Sequence, residues 1–315
     1  MIDRWGILGC LSTKATLYSG ETMKTIVFLA VMAATSFAFA ADIKHIDVHG
    51  HRGSRGTMPE NTIPAFEAAL IAGVDVLELD LVVTKDNVLV VSHDPKVKPG
   101  RCLDAEGKKI KVAVPIIELT IAELKKYDCG SLLNPSFPKQ VAVPGTPMPT
   151  LNQVFTLVEK SGQELARRVE FNIETKIFPS EPELTPSPAE FAKLVVESVQ
   201  RRGMVQRVIV QSFDIRTLKE IKKIAPDIRI SQLTSSNLLN IVPSLKAADV
   251  DIWSPNYRWI TPETVKEAHA AGFKVVPWTI NTEKEWGIAI KNGADAIITD
   301  YPTALIEYLK TKKLR

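Results

Sequence analysis

The chain has 315 residues, with 39 basic and 36 acidic side chains and a net charge of +3. So small a charge gives no reason to expect nucleic acid or an anionic membrane surface as a partner. The length allows one large domain or two small ones, and a hydrophobic content of 45% supplies ample apolar material for a large core.

The first forty residues are predicted to be absent from the mature protein. Lys24 precedes an uncharged apolar run, and residues 38–40 form an A-x-A cleavage pattern, which is the organisation of a secretory signal peptide. We therefore predict a signal peptide at 23–40, a non-native upstream extension at 1–22, and an exported protein, periplasmic or secreted, after cleavage near Ala40. The apolar run is short for a membrane span, so no stable membrane anchor is expected.

The mature chain, 41–315, is predicted to form a single domain. Residues 95–149 within it contain eight prolines and little periodicity, and we interpret them as an insertion packed over the core. Cys102 and Cys129 both lie in this insertion. An even pair of cysteines in a chain bound for an oxidising compartment predicts a disulfide, with two free thiols as the alternative.

The first elements of the mature chain are predicted to be a strand, a helix and a hairpin. A strand at 43–49 runs into a glycine-rich loop, and Asn61 or Thr62 is a suitable N-cap for a helix at 63–72. Strands at 74–83 and 88–93 follow, joined by the turn signal Asp86-Asn87.

The predicted hairpin places acids beside a histidine. If its loop has two residues, Val83 faces Val90 and Asp80 faces His93. Glu78 and Asp80 are two residues apart and share one face of their strand. Two acids on one face of an apolar strand are costly unless a cation offsets them. This hairpin therefore indicates a hard-metal site with a histidine beside it, and a solvated edge hairpin with surface acids is the alternative.

From residue 150 onwards, strands and helices alternate, which is typical of a parallel sheet with helical crossovers. Eight βα units match a (β/α)8 TIM barrel, with the hairpin return strand near 91 as an extra strand. A doubly wound sheet is the second candidate, but no G-x-G-x-x-G follows the first strand. The eight core strands are predicted near residues 46, 77, 172, 209, 230, 252, 276 and 297.

Polar residues gather at the predicted carboxyl ends of these strands, where a barrel carries its chemistry. Glu78, Asp80 and Glu174 make an all-oxygen set, which favours Ca²⁺ or Mg²⁺ over zinc. Two flanking histidines, His51 and His93, are suited to acid and base roles. Fixed positive charge comes from Arg52 and Lys176. Such a combination describes a site for phosphoryl oxygens.

These motifs resemble those of the glycerophosphodiester phosphodiesterase family over residues 44–309, in the family's order and spacing. The segments that carry the resemblance are His51-Arg52-Gly53, Pro59-Glu60-Asn61-Thr62, Glu78-Leu79-Asp80, His93-Asp94, Glu174-Thr175-Lys176, Gln211-Ser212-Phe213, Trp278-Thr279 with Asn281, and Thr299-Asp300-Tyr301-Pro302.

The resemblance implies a TIM barrel with an insertion after the hairpin, and hydrolysis of glycerophosphodiesters such as glycerophosphocholine to glycerol 3-phosphate and an alcohol. It implies a divalent metal, Ca²⁺ or Mg²⁺, and a small-molecule substrate. The roles that it implies are acid and base for His51 and His93; metal ligands for Glu78, Asp80 and Glu174, with Glu60 as a candidate fourth; and substrate contacts for Arg52, Lys176, Trp278, Asn281 and Gln211.

Two other functions are weighed against this one. A phospholipase D acting on lysophospholipid head groups would use the same residues, and an exposed apolar rim on the insertion would favour it. A non-enzymatic exported binding protein would be expected to lack a ligand or a histidine, and none is lacking. The head group, the physiological metal, the assignment of acid and base to the two histidines, and the oligomeric state stay open.

Overall fold

The protein is represented by a computed structural model that describes residues 45–162, 164–237 and 240–315. The signal peptide predicted at 23–40 and the extension predicted at 1–22 lie outside the described residues. No helix in the described part is both long and apolar enough to cross a membrane.

A sheet of parallel strands forms the centre of the protein. The described strands are β1 Asp47–Gly50, β2 Val76–Val83, β3 Leu89–Val91, β4 Lys96–Val97, β5 Val114–Pro115, β6 Glu170–Thr175, β7 Val208–Ser212, β8 Arg229–Thr234, β9 Ile252–Pro255, β10 Lys274–Val275 and β11 Ala296–Thr299. The spatial order in the central sheet is β10, β9, β8, β7, β6, β2, β1, β11, and every neighbouring pair in that order is parallel.

Backbone hydrogen bonds bring the two ends of this sheet together. Ile280 donates its N–H to Ile298 O at 3.0 Å, and Ile298 donates to Pro277 O at 3.1 Å. The eight parallel strands therefore form a nearly closed barrel, and the predicted (β/α)8 fold is confirmed.

The seventh barrel strand is much shorter than the predicted 273–279. Regular pairing is limited to Lys274–Val275, although Trp278 still donates its N–H to Pro255 O at 3.0 Å. The physical reason is Pro277, which has no N–H to give to a neighbouring strand and so interrupts the ladder.

The helices outside the insertion surround the barrel, and their apolar faces pack against it, whereas the short helix Ile121–Leu124 packs within the insertion. Thr62 caps the first helix by accepting from Ala65 N, and Gly73 ends it in the left-handed conformation with φ 87°. The described helices are α1 Ile63–Ala72, α2 Ile121–Leu124, α3 Leu151–Lys160, α4 Pro188–Arg201, α5 Ile215–Ile224, α6 Ile241–Ala248, α7 Pro262–Ala270, α8 Glu283–Lys291 and α9 Pro302–Thr311.

The pairing register of the hairpin differs from the prediction by one residue. Val83 pairs with Leu89 and Val82 with Val90, so the predicted Val83–Val90 and Asp80–His93 pairs are wrong. The loop contains three residues, 85–87, because Asn87 adopts a left-handed φ of 58° and the side chain of Thr84 accepts from Val88 N. His93 consequently lies beyond the end of β3.

The insertion at 95–149 has a small apolar cluster of its own. Val82 and Val90 of the hairpin pack in this cluster with Val97, Ile116 and other residues of the insertion. A disulfide joins Cys102 to Cys129, as predicted. Because the loop-rich insertion has little core of its own, this cross-link and the hairpin contacts hold it beside the barrel.

Candidate active site

A cavity of about 210 Å³ opens at the carboxyl ends of the barrel strands. It brings together eight of the residues predicted for the site, whereas Glu60, Asp80 and Asn281 are not among those that line it. The lining residues are His51, Arg52, Arg55, Glu78, His93, Glu174, Lys176, Gln211, Phe213, Leu233, Trp278, Thr279 and Ile298.

Three buried carboxylates form the predicted metal-ligand group. Glu78, Asp80 and Glu174 each offer an oxygen within 4.8 Å of the others. Burial, and then the charges of Asp80 and Glu174, raise the pKa of Glu78 well above its usual value. Asp80 Oδ1 is buried and has no hydrogen-bond partner among the described residues. Crowded like charges and an unpartnered oxygen fit an all-oxygen site for a hard dication.

Lys176 partly neutralises this group. Its Nζ lies 2.6 Å from Glu174 Oε1 and 3.8 Å from Asp80 Oδ1. Burial alone would lower the pKa of Lys176, but the two carboxylates outweigh it and raise that pKa. Burial also raises the pKa of Glu174, and the lysine charge opposes this effect. Lys176 therefore stays positively charged beside the carboxylates.

Arg52 links the carboxylates to the loop after β1. Its backbone N–H donates to Glu78 Oε2 at 2.9 Å, and its Nε lies 3.1 Å from Asp80 Oδ2. Burial would raise the pKa of Asp80, but the charges of Arg52, His93 and Lys176 outweigh burial and hold it below its usual range. The Arg52 guanidinium is thus fixed at the wall of the cavity.

Glu60, the candidate fourth ligand, is not part of the three-carboxylate group. Arg52 Nη1 donates to its Oε1 at 2.8 Å, and Arg101 also contacts this oxygen. Arg55 Nη1 lies 3.8 Å from its Oε2. The carboxylate of Glu60 is therefore surrounded by arginines, and its structural role is to hold Arg52.

His51 is held in one orientation by Asp300. The distance from His51 Nδ1 to Asp300 Oδ1 is 2.6 Å, and His51 Nε2 lies 3.9 Å from Glu78 Oε2. Burial lowers the pKa of His51 to about 4, although the charge of Asp300 opposes this effect. Since an ionised Asp300 can only accept, Nδ1 carries the proton and Nε2 presents a lone pair on the opposite side of the ring.

Asp300 is itself held by two side chains. Arg55 donates to its two oxygens at 2.7 and 3.0 Å, and Asn281 Nδ2 donates to Oδ2 at 2.7 Å. Burial would raise the pKa of Asp300, but His51 and Arg55 outweigh it and lower that pKa. Asn281 therefore orients Asp300, and its contact with substrate stays a prediction.

No role was assigned to Asp300 or Arg55 from the sequence, although the position of each residue was a signal that pointed to the site. Asp300 directly follows β11, at the end of a barrel strand. Arg55 lies three residues after Arg52 in the same loop. Neither position reveals which carboxylate and which guanidinium pair, because that depends on the packing of the loop.

Gln211 lines the cavity but its amide is occupied by a carboxylate. Its Nε2 donates to Glu78 Oε1 at 2.8 Å, and its Oε1 accepts from Asn172 Nδ2 at 3.0 Å. The amide of Gln211 therefore orients Glu78, and its contact with substrate stays a prediction. Behind it, Asn172 Nδ2 lies 3.4 Å from His49 Nδ1, which makes His49 a hydrogen-bonded residue of the barrel interior.

His93 reaches the cavity despite the different hairpin register. Its side chain is 35% exposed, and its Nδ1 lies 3.6 Å from Asp94 Oδ1. The ring lines both the cavity and an adjoining cleft between the barrel and the insertion. The two predicted acid/base residues thus differ in environment, because His51 is enclosed and His93 is accessible to solvent.

Part of the cavity lining is apolar. Trp278 donates its Nε1–H to Ser254 O at 2.8 Å and packs edge-to-face with Phe213, with ring centroids 5.5 Å apart. Phe213 is 47% exposed. Leu233 and Ile298 complete the wall. Trp278 therefore forms part of the cavity wall, and its contact with substrate stays a prediction.

Known proteins resemble the chain along most of its length. The model of the glycerophosphoryl diester phosphodiesterase family matches residues 51–304. Glycerophosphodiester phosphodiesterase of Caldanaerobacter subterraneus subsp. tengcongensis is 32% identical over 84% of this chain and 97% of its own length. Lysophospholipase D GDPD1 of Mus musculus is 28% identical over 82% of this chain and 84% of its own.

A solved structure agrees with these relatives. A protein of Silicibacter pomeroyi assigned as a glycerophosphoryl diester phosphodiesterase superposes with a TM-score of 0.78 at 31% identity, covering 85% of this chain and 94% of its own. The family match spans well over half of the chain and includes the loop of His51 and the cavity. The chain belongs to the glycerophosphodiester phosphodiesterase family and is a phosphodiester hydrolase.

Proposed function

We propose that this enzyme hydrolyses glycerophosphodiesters such as glycerophosphocholine to glycerol 3-phosphate and an alcohol, with Ca²⁺ or Mg²⁺ held by Glu78, Asp80 and Glu174. The observation that carries the proposal is the group of three buried carboxylates within 4.8 Å of one another, beside a cavity lined by two histidines. When bound, the ion would polarise the phosphoryl oxygens and offset their charge.

His51 is assigned the role of general base. Asp300 accepts its Nδ1–H at 2.6 Å, and this leaves Nε2 to take a proton. Burial lowers the pKa of His51 to about 4, so the imidazole is neutral near neutral pH. It would deprotonate either a water or the glycerol hydroxyl next to the phosphodiester, and attack by that hydroxyl would give a cyclic phosphate first.

His93 is assigned the role of general acid. It is more exposed than His51, and its Nδ1 lies 3.6 Å from Asp94 Oδ1. It would give its proton to the oxygen of the departing alcohol as the P–O bond breaks. If water attacks directly, one proton is taken up at His51 and one is released at His93, and exchange with solvent restores both rings. If the glycerol hydroxyl attacks, a water that gives its proton to His93 then opens the cyclic phosphate, and His51 returns its proton to the ring oxygen that departs.

Arg52 and Trp278 are assigned to substrate binding. The guanidinium of Arg52 is braced by Glu60 and Asp80, so it can hold a phosphoryl oxygen without loss of much side-chain freedom. Trp278 and Phe213 form the apolar wall and can pack on the carbon atoms of glycerol.

Action on lysophospholipid head groups is the second candidate. Phe213 is half exposed at the cavity, and the insertion carries the exposed residues Val112, Leu133 and Val141. A relative named for lysophospholipase D activity supports the same possibility. The small cavity favours the shorter substrate, and a longer chain would have to extend past Phe213.

The test is an assay of the mature chain from Ala41 on glycerophosphocholine with Ca²⁺, with Mg²⁺ and with chelator. Metal-dependent release of glycerol 3-phosphate is expected. In His51→Ala and His93→Ala, turnover should fall by about 10²–10⁴-fold while calorimetry still detects metal binding. Full activity in either variant would refute the acid/base assignment. A folded protein that releases nothing with any metal would move the assignment to lysophospholipids.

Export is proposed as the location of this activity. The signal peptide predicted at 23–40 supports it, and so does the Cys102–Cys129 disulfide, because disulfides persist in oxidising compartments. Expression of the whole chain followed by sequencing of the mature amino terminus is the test. Cleavage after Ala40 with the protein outside the cytoplasm is expected, and an uncleaved cytoplasmic protein would contradict the proposal.

A further inference from the structure

The insertion touches the loop that carries His51 and Arg52. The guanidinium carbon of Arg55 lies 4.7 Å from the centroid of the Phe137 ring. Phe137 also packs edge-to-face with Tyr301, at 6.4 Å between centroids, and Lys139 Nζ lies 5.9 Å from the Tyr301 ring. A short segment of the insertion, residues 137–141, therefore covers both Arg55 and the residue next to Asp300. We call it the clamp segment.

Hydrogen bonds to backbone carbonyl groups fasten the clamp segment to the same loop. Gln140 Nε2 donates to Arg55 O at 2.6 Å and to Met58 O at 3.1 Å. Val141 donates its N–H to Thr57 O at 2.9 Å. Gln140 is buried, so these bonds are made away from water, where an unsatisfied carbonyl would be costly. The loop from Arg55 to Met58 consequently has its path set by the insertion.

The loop in turn lies directly against Asp300. Gly56 donates its N–H to Asp300 O at 2.8 Å. A Cβ atom at Gly56 would lie 2.3 Å from the Tyr301 ring and 2.7 Å from Asp300 O, so only glycine fits here. A shift of this loop would therefore move Arg55 relative to the carboxylate that it binds.

We propose that the clamp segment positions the catalytic base: Phe137 and Gln140 fix Arg55, Arg55 fixes Asp300, and Asp300 fixes the ring of His51. This inference rests on the proposed role of His51. In it, the insertion contributes to the reaction by positioning the base and not by contact with the substrate. Arg55, Phe137 and Gln140 are positioning residues in this assignment.

The energetics favour such a chain of contacts. An arginine side chain has many rotamers, and a ring stacked on its guanidinium restricts them while leaving its N–H groups free for Asp300. Without the Phe137 ring, Arg55 can leave Asp300, whose two oxygens would lose the donors at 2.7 and 3.0 Å. Asp300 would then hold His51 less firmly, and misplacement of a reacting group by about 1 Å can cost about 100-fold in rate.

Phe137→Ala is the first test. We expect kcat to fall by about 5- to 50-fold with KM within about threefold, because the base acts in the transition state while the substrate contacts remain. Phe137→Tyr keeps the ring under Arg55 and should restore most of the activity. Lys111→Ala, in the same insertion and exposed to solvent, is the control and should leave kcat unchanged.

A double-mutant cycle separates positioning from general loss of stability. If Phe137 acts through Arg55, the variant carrying both Phe137→Ala and Arg55→Ala should be no slower than Arg55→Ala alone. If the two losses multiply, Phe137 acts by another route and the proposal is wrong. Thermal unfolding of each variant, with metal, identifies any variant that loses activity because it does not fold. If Phe137→Ala is such a variant, the cycle is repeated with Gln140→Ala in its place.

Failure of this inference can be told apart from failure of the proposed function. A His51→Ala variant that retains activity would overturn the acid/base assignment itself. An inactive His51→Ala variant together with a fully active, folded Phe137→Ala variant would overturn the clamp alone. The His51 ring can also be followed directly, since its Nδ1–H signal in NMR spectra should weaken or shift in Phe137→Ala if Asp300 holds it less firmly.

Discussion

The two ends of the barrel carry similar residues in very different surroundings. Each end has three potential metal-ligand side chains whose donor atoms lie within 4.8 Å of one another, namely Glu78, Asp80 and Glu174 at the carboxyl end and His45, Asp47 and Asp75 at the amino end. At the carboxyl end all three are buried. At the amino end His45 is exposed and the two acids are half-buried.

Strand β11 has an aspartate–histidine pair at each end. Asp295 precedes the strand, and its Oδ2 lies 2.8 Å from His269 Nε2, with the histidine side chain 36% exposed. Asp300 follows the strand, and its Oδ1 lies 2.6 Å from His51 Nδ1, with the aspartate fully buried. The distances are alike, and the environments are not.

The difference shows that proximity of ligand atoms does not by itself identify a site. At the amino end, Asp75 accepts from Val48 N at 2.8 Å and pairs with Arg315. Its charge is therefore already balanced, and its role is structural. At the carboxyl end, Asp80 keeps a buried oxygen without a hydrogen-bond partner among the described residues. Cavities of similar volume open at both ends, so the features that distinguish the carboxyl end are the burial of all three acids and the oxygen without a partner. We infer that the metal binds at this end.

The largest effect is expected when a carboxylate at the carboxyl end is neutralised, and the same change at the amino end is its control. Glu78→Gln should lower the rate of phosphodiester hydrolysis by more than about 1,000-fold, since loss of an outer-shell partner alone costs about 10–100-fold. It should also abolish the rise in melting temperature on addition of Ca²⁺. Asp47→Asn should change the rate less than about twofold. Equal losses in the two variants would show that the ends are not distinct.

The aspartates that flank β11 give the next comparison. Asp300→Asn should lower kcat by about 100-fold or more, because an amide can leave the His51 ring in the wrong tautomer. Asp295→Asn should leave kcat unchanged and lower the free energy of unfolding by about 1 kcal/mol, because Asp295 accepts from Val275 N at 2.7 Å. A normal kcat in Asp300→Asn would remove the orienting role of Asp300.

Gln211 tests whether a polar residue at the carboxyl end serves the substrate or the metal ligands. Its Nε2 donates to Glu78 Oε1, so Gln211→Ala should weaken metal binding by about tenfold. The KM measured at saturating metal should change little. A raised KM with unchanged metal affinity, measured by calorimetry, would instead support the substrate contact that was predicted from the sequence.

Local signals were sufficient to predict most of the fold. The helix at 63–72 was predicted at its exact bounds because Thr62 and Gly73 mark its ends chemically. The strand ends carrying Glu78, Asp80 and Glu174 followed from apolar periodicity. The hairpin register could not be predicted in this way, because the conformation of its loop depends on Thr84 and on Asp86. The Oδ1 of Asp86 accepts from Ile121 N, which is distant in the chain.

The site could be predicted in position but not in its internal contacts. A residue at the carboxyl end of a strand faces the cavity region, but its rotamer can direct the side chain to a ligand or to a neighbouring carboxylate. Asn281 and Gln211 both direct their amides to acids, Asp300 and Glu78. The role of Arg55 depends on Phe137 of the insertion, and no local pattern predicts contacts between segments so far apart in the chain.

The smallest effect is expected at the exposed histidine of the amino end. His269→Ala should lower the free energy of unfolding by about 0.5 kcal/mol, because a solvent-exposed ion pair contributes little. It should leave kcat and metal affinity unchanged, whereas His51→Ala, which removes the equivalent partner from Asp300, should abolish most of the activity. Both rings pair with an aspartate at nearly the same distance, but only His51 is buried. Denaturant titrations and kinetics of the two variants therefore measure how much burial of the ring adds to its effect on stability and on kcat.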